Sequence, residues 1–218
     1  MVSQDPSQIL TTISVLAIPM VVAITLHEAA HGYVAWKLGD DTAYRLGRVS
    51  FNPLRHVDPF GTIILPLMLY FSSGFLFGWA KPVPVNFGRL HHPRRDMVLV
   101  AAAGPATNLA IALVSALLIH VTSLFPDFAR EWATINLQIS VQFNVMLAVF
   151  NMFPLPPLDG GRVAVGLLPL PLARPLASLE RWGLQRRQFQ IHVQRRFVAL
   201  EQLDNFFPVR RRHDVRDK

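Results

Sequence analysis

The sequence predicts an all-α fold: a polytopic bundle of membrane helices with about four spans, half or interfacial helices, and a small β-hairpin or sheet at the membrane surface. Three observations carry that expectation. Hydrophobic residues make up 51% of the 218 positions and charged residues only 16%, whereas a soluble domain of this size would place more charge on its exterior. The mean hydropathy is +0.32. Apolar segments recur at 9–38, 60–79, 97–125 and 133–155, each near the ~20 residues that carry a helix across a bilayer.

The first segment contains Pro19, which predicts a kink. No Lys or Arg precedes Lys37, so the basic start of a secretory signal peptide is missing and the segment is expected to remain as a span. The second segment opens with Pro59-Phe60-Gly61 and holds Pro66, Ser72, Ser73 and Gly74, which makes it the least regular of the four. The third contains Ala101-Ala102-Ala103-Gly104-Pro105-Ala106 and then Asn108; small residues permit close contact between helices. The fourth ends in Asn151-Met152-Phe153-Pro154-Leu155-Pro156-Pro157-Leu158-Asp159-Gly160-Gly161, where prolines break the helix.

Two stretches between the spans read as extended. Leu46-Gly47-Arg48-Val49-Ser50-Phe51 alternates, and Trp79-Ala80-Lys81-Pro82-Val83-Pro84-Val85-Asn86 carries prolines that exclude a helix. Paired, they would form the surface hairpin. From 184 to 218 the chain is rich in Arg and Gln, which predicts a basic tail, either an amphipathic helix on the membrane or a disordered end. Twelve of the 21 Lys and Arg residues lie from Arg162 onward, within a net charge of +7. Beside a membrane such charge marks the cytoplasmic side or contacts anionic headgroups, and no nucleic-acid partner is expected.

The chemistry begins at His27-Glu28-Ala29-Ala30-His31, inside the first apolar segment. Histidines four apart on a helix share one face, so both imidazoles can reach one metal ion. Glu28 can reach a water at that metal and act as its general base. Ionisable groups within a span are expensive and mark working sites. With no cysteine in the chain, a zinc site must use His and carboxylate ligands. The third ligand is open among His56, His91, His92, His120, His192, His213 and Asp159. Asp159 is the most attractive, because a buried carboxylate past a proline break needs a cationic partner. Asn151, eight residues upstream, has an amide suited to a developing oxyanion. His56 and Asp58 read as loop residues, Asn108 with Gly104 and Pro105 as helix packing, and His91 with His92 as interfacial.

The two motifs together resemble the site-2 protease family of intramembrane zinc metalloproteases, in its compact form without a PDZ or CBS domain. Asn52-Pro53-Leu54-Arg55-His56-Val57-Asp58-Pro59-Phe60-Gly61-Thr62, Gly78-Trp79-Ala80-Lys81-Pro82-Val83-Pro84-Val85-Asn86 and Ala103-Gly104-Pro105-Ala106-Thr107-Asn108 extend the resemblance from about residue 10 to about 183. It implies an intramembrane metalloprotease domain over 1–183, Zn2+ held by His27, His31 and Asp159, and Glu28 as base. It implies a multi-pass protein of a prokaryotic cytoplasmic membrane, surrounded by lipid, that cleaves transmembrane protein substrates. Compact relatives continue past a segment like Leu179-Glu180-Arg181-Trp182-Gly183-Leu184 into another apolar span, whereas Gln185-Arg186-Arg187-Gln188 follows here. Two other classes fit intramembrane His and Asp: a metal-binding membrane transporter and a catalytically inactive scaffold.

Overall fold

The computed structural model describes residues 6–65, 68, 69, 72 and 81–179. Five helices organise them: α1 (Pro6–Lys37), α2 (Pro93–Ile119), α3 (Asp127–Asn151), α4 (Asp159–Leu167) and α5 (Leu170–Leu179). Single turns lie at Thr42–Arg45, Pro53–Arg55, Phe87–Arg89 and Thr122–Leu124, with a π-helical stretch at Pro59–Ile64. Among the described residues, three helices are long and apolar enough to cross a membrane: α1 over Ser14–Lys37, then α2 and α3. They rise roughly 36–40 Å, against about 30 Å of hydrocarbon. Helix α2 is the centre, packing on α1, α3 and α4; α1 also packs on α3, and α5 rests on α4.

The bundle is small and polar inside and large and apolar outside. Along α2 the buried positions are Val100, Ala101, Gly104, Pro105, Asn108, Ala112 and Ser115, with Asp96 at the start; along α3 they are Ala133, Asn136, Ser140, Asn144 and Ala148. Spacings of three and four keep each set on one helix face. Leu113, Leu117, Val149 and Phe150 point outward and are each more than half exposed. Water would penalise that surface and a lipid bilayer would not.

Local chemistry sets the helix ends. Helix α2 begins at Pro93, before its apolar run, because proline suits the first helical position and Asp96 Oδ2 accepts the His92 amide at 2.7 Å. Helix α3 begins at Asp127, where an acid favours the first turn. At the end of α1, Asp40 N–H donates to the Ala35 carbonyl (2.9 Å) and Gly39 N–H to Trp36 (3.2 Å), with Gly39 at φ +107°. This pairing is a Schellman motif, and the left-handed position favours glycine.

The predicted hairpin is not present: no strand occurs among the described residues. The alternation at 46–51 instead closes a helical turn. Arg48 N–H donates to Ala43 and Gly47 N–H to Tyr44, with Gly47 at φ +64°, a second Schellman closure. Residues 81–86 are extended, but side chains rather than a neighbouring strand satisfy much of their backbone. Of the second apolar segment only 60–65, 68, 69 and 72 are described, and the expected tail at 184–218 lies outside the described residues.

A Cβ on Gly39 would stand 2.8 Å from His91 Nε2 and 3.0 Å from the Arg89 carbonyl, at a φ that side chains disfavour. Gly39→Ala is expected to destabilise the protein by about 1 kcal/mol or more, seen as earlier thermal unfolding in detergent. An unchanged transition contradicts this account of the α1 end.

Candidate metal centre

The helical repeat places His27 and His31 on one face of α1, one turn apart, their rings edge to face with centroids 4.6 Å apart. The Nε2 atoms are 3.0 Å from each other. The third group comes from the far end of the chain. Helix α3 stops at Asn151, the chain turns through 152–158 with a cis Pro156–Pro157 bond, and Asp159 opens α4. The two glycines behind it permit this path. A Cβ on Gly160 would lie 2.1 Å from the Met152 carbonyl oxygen, and one on Gly161 would lie 2.3 Å from Pro156 N. Asp159 Oδ2 therefore reaches 3.2 Å from His27 Nε2 and 3.3 Å from His31 Nε2. All three side chains are buried.

These three atoms can hold a metal ion, and their geometry fits one. A tetrahedral ion with bonds of about 2.0–2.1 Å separates its ligand atoms by about 3.3 Å, close to the 3.0, 3.2 and 3.3 Å seen here. The opposite ring nitrogens bond elsewhere: His31 Nδ1 is 2.7 Å from the Val100 carbonyl and His27 Nδ1 is 2.6 Å from Asn108 Oδ1. An imidazole that donates through Nδ1 offers a lone pair at Nε2. Two such lone pairs and a carboxylate oxygen facing one another require a cation. Burial pushes the Asp159 carboxyl up, but the two adjacent imidazoles outweigh it and hold the group below the usual carboxylate range.

The third wall is Gly104. A Cβ there would stand 2.4 Å from His31 Nε2, 2.5 Å from His27 Cε1 and 2.6 Å from His27 Nε2. The missing side chain leaves a cradle beside the ligand nitrogens. Val100, Gly104 and Asn108 stand at intervals of four on α2, so one stripe supplies a carbonyl, a gap and an amide to the site.

Glu28, next to His27, faces the extended segment: its Oε2 accepts the Val83 N–H at 2.7 Å. That segment is held at further points. Asp40 Oδ2 accepts Asn86 N–H at 2.5 Å, and Lys81 N–H donates to the His56 carbonyl at 2.9 Å. The Arg48 guanidinium donates to the carbonyls of Arg55, Lys81 (2.5 Å) and Pro82 (3.3 Å). Burial lowers the pKa of Arg48 and the Glu28 carboxylate opposes that shift; a guanidinium so placed stays charged. Asn151 does not join the cluster of three. Its amide donates to the Leu147 carbonyl on its own helix at 3.0 Å. His56, with Nε2 3.0 Å from the Ser50 carbonyl, and Asp58, which accepts Gly61 N–H at 2.7 Å, hold loops as expected.

The sequence reading missed four contributors. Asn108 and Gly104 read as packing, yet one bonds His27 and the other makes room beside it. Asn108 was legible as a polar residue in an apolar run. Arg48 and Val83 gave no signal, because they act through backbone carbonyls and an amide that only the folded chain brings together.

The chain is similar to several curated proteins. It is 40% identical over 172 residues to the "Putative zinc metalloprotease YwhC" of Bacillus subtilis, covering 77% of this chain and 75% of that one. It is 32% identical over 165 residues to the "Putative zinc metalloprotease Rip2" of Mycobacterium tuberculosis H37Rv, covering 75% of this chain and 61% of that one. It is 32% identical over 141 residues to the "Putative zinc metalloprotease MJ0611" of Methanocaldococcus jannaschii, covering 63% and 62%. No family model and no solved structure matches the chain.

Gly104→Ala is expected to abolish tight metal binding without harming α2, since alanine is the better helix former. Metal content by elemental analysis checks this: one divalent ion per wild-type chain and none in the variant. Full metal retention in Gly104→Ala contradicts the cradle.

Proposed function

The chain belongs to the site-2 protease family of zinc metalloproteases, and from that premise we propose that it is an intramembrane zinc endopeptidase. It hydrolyses peptide bonds in or near transmembrane segments of other membrane proteins. One observation carries the reading: His27 and His31, with Glu28 beside them, lie on a helix long and apolar enough to cross a bilayer and meet Asp159 at the start of α4. Polar groups at such depth serve chemistry or transport, and the relatives at 40% and 32% identity are named for zinc-dependent proteolysis.

In this reading His27, His31 and Asp159 hold Zn2+. Bound zinc supplies Lewis acidity for water and for the scissile carbonyl. Glu28 takes the proton from the attacking water and delivers it to the leaving amine. The Val83 N–H fixes one carboxylate oxygen of Glu28 and leaves the other oxygen for that proton. Asn151 presents a second N–H of its amide to the developing oxyanion, since an amide nitrogen carries two donors and the Leu147 carbonyl takes one. The proteolytic domain spans 1–183, with 184–218 a basic tail. The protein is a multi-pass resident of a prokaryotic cytoplasmic membrane, and its partners are lipid and transmembrane substrates.

Reconstitution with a single-span reporter substrate tests this. Glu28→Gln is expected to lower cleavage by about 100-fold or more while zinc remains bound, and a chelator is expected to stop wild-type cleavage. Ion transport that survives Glu28→Gln, without cleavage, would identify a transporter. Cleavage indifferent to both the variant and the chelator would sink the zinc-protease reading.

A further inference from the structure

The hydrogen bond on His27 continues across the bundle as a chain with a fixed direction. Asn108 Nδ2 donates to Asn144 Oδ1 at 2.8 Å and to the Ala23 carbonyl at 3.3 Å. Asn144 Nδ2 donates to the Ser140 carbonyl at 2.8 Å. Beyond it, Ser140 and Ser115 pair through their hydroxyls at 2.8 Å. Asn108 and Asn144 are fully buried, each 0% exposed. Two asparagines buried among membrane helices make an expensive arrangement unless their polarity is put to use.

That polarity follows from the backbone. A carbonyl only accepts, so the Asn144 atom facing the Ser140 carbonyl must be the amide nitrogen. Asn144 Oδ1 then faces Asn108 and must receive a donor, which sets Asn108 Nδ2 on that side. The Ala23 carbonyl demands the same orientation independently. Asn108 Oδ1 is left facing His27, where it can only accept. His27 therefore carries its proton on Nδ1 and presents a lone pair at Nε2, toward His31 and Asp159.

We infer that Asn108 and Asn144 are positioning residues for the metal: a chain spanning α1, α2 and α3 that fixes the tautomer and ring orientation of His27. The inference rests on the zinc-site part of the proposed function and not on proteolysis. The two histidines are held differently. A backbone carbonyl, Val100, orients His31 and no substitution removes it. Side chains alone orient His27, so its tautomer depends on residue identity at 108 and, one step further away, at 144. Groups that orient a metal-ligating imidazole typically govern affinity about 10–100-fold.

The test uses the full chain in detergent, with zinc itself as the probe, titrated against a competing chelator. Asn108→Leu and Asn144→Ala are each expected to weaken zinc binding by about 10–100-fold, although Asn144 touches none of the three ligands. Ser115→Ala lies beyond the directional part of the chain and is expected to leave affinity within about twofold of wild type, a control for loss of buried polar packing. Helical circular dichroism verifies that each variant is folded. Independently of any variant, 15N–1H correlation spectra of histidine-labelled, zinc-loaded wild type should show His27 protonated at Nδ1 with its Nδ1 proton hydrogen-bonded. In Asn144→Ala that proton signal should move, while the His31 signal stays in place. A wild-type His27 that is unprotonated at Nδ1, or unchanged zinc affinity in folded Asn108→Leu and Asn144→Ala, overturns the inference. Wild type that binds no zinc overturns the proposed function beneath it, a distinct result.

Discussion

Three electron-pair donors facing one another inside an apolar bundle are unstable alone. The two imidazole nitrogens and the carboxylate oxygen of His27, His31 and Asp159 lie 3.0–3.3 Å apart. A cation at that point turns mutual repulsion into coordination. Much else in the fold can be understood as meeting that requirement. Helix α1 supplies two ligands from one face. Helix α3 ends early so that the chain can turn and deliver Asp159. Helix α2 omits a side chain at Gly104, where a Cβ would stand 2.4 Å from His31 Nε2. Glycines 160 and 161 let the start of α4 lie against the backbone of 152–156.

Around the ligands, α2 links the parts. Along its length it meets α1 at Val100 and Asn108 and meets α3 at Asn108 and Ser115. Both pairings run antiparallel, and for α2 and α3 the short connection between them requires it. The extended segment at 81–86 provides a separate wall. Glu28 and Asp40 accept its amides, and Arg48 donates to its carbonyls. Charged groups there replace the strand partner that a hairpin would have supplied. The same contact orients Glu28, so the proposed base shares a hydrogen bond of 2.7 Å with the wall beside it.

The helical class, with helices apolar and long enough for a membrane, was legible in the sequence, and so were the two histidines that could hold a metal ion, because both depend on local periodicity. His27 and His31 are four apart, and that spacing alone places them on one face. Asp159 was legible because a carboxylate after Pro156 and Pro157 has few other uses inside an apolar chain. Helix ends were less so: α2 begins at Pro93, where capping outweighs hydropathy. The stretch 46–51 alternates like a strand, but Gly47 at φ +64° turns it into a helix closure. Asn108 and Asn144 stand 36 residues apart, and no local pattern announces that their amides meet. Arg48 acts on the carbonyls of Lys81 and Pro82, groups that every residue carries and no sequence distinguishes.

The central claim is that two imidazoles from α1 and one carboxylate from α4 share a single zinc ion. Zinc K-edge X-ray absorption on the purified, zinc-loaded protein measures this directly. The structure predicts a four-coordinate shell of nitrogen and oxygen at about 2.0–2.1 Å with the outer-shell scattering of two imidazoles. A six-coordinate oxygen shell, or scattering from fewer than two imidazoles, would contradict it.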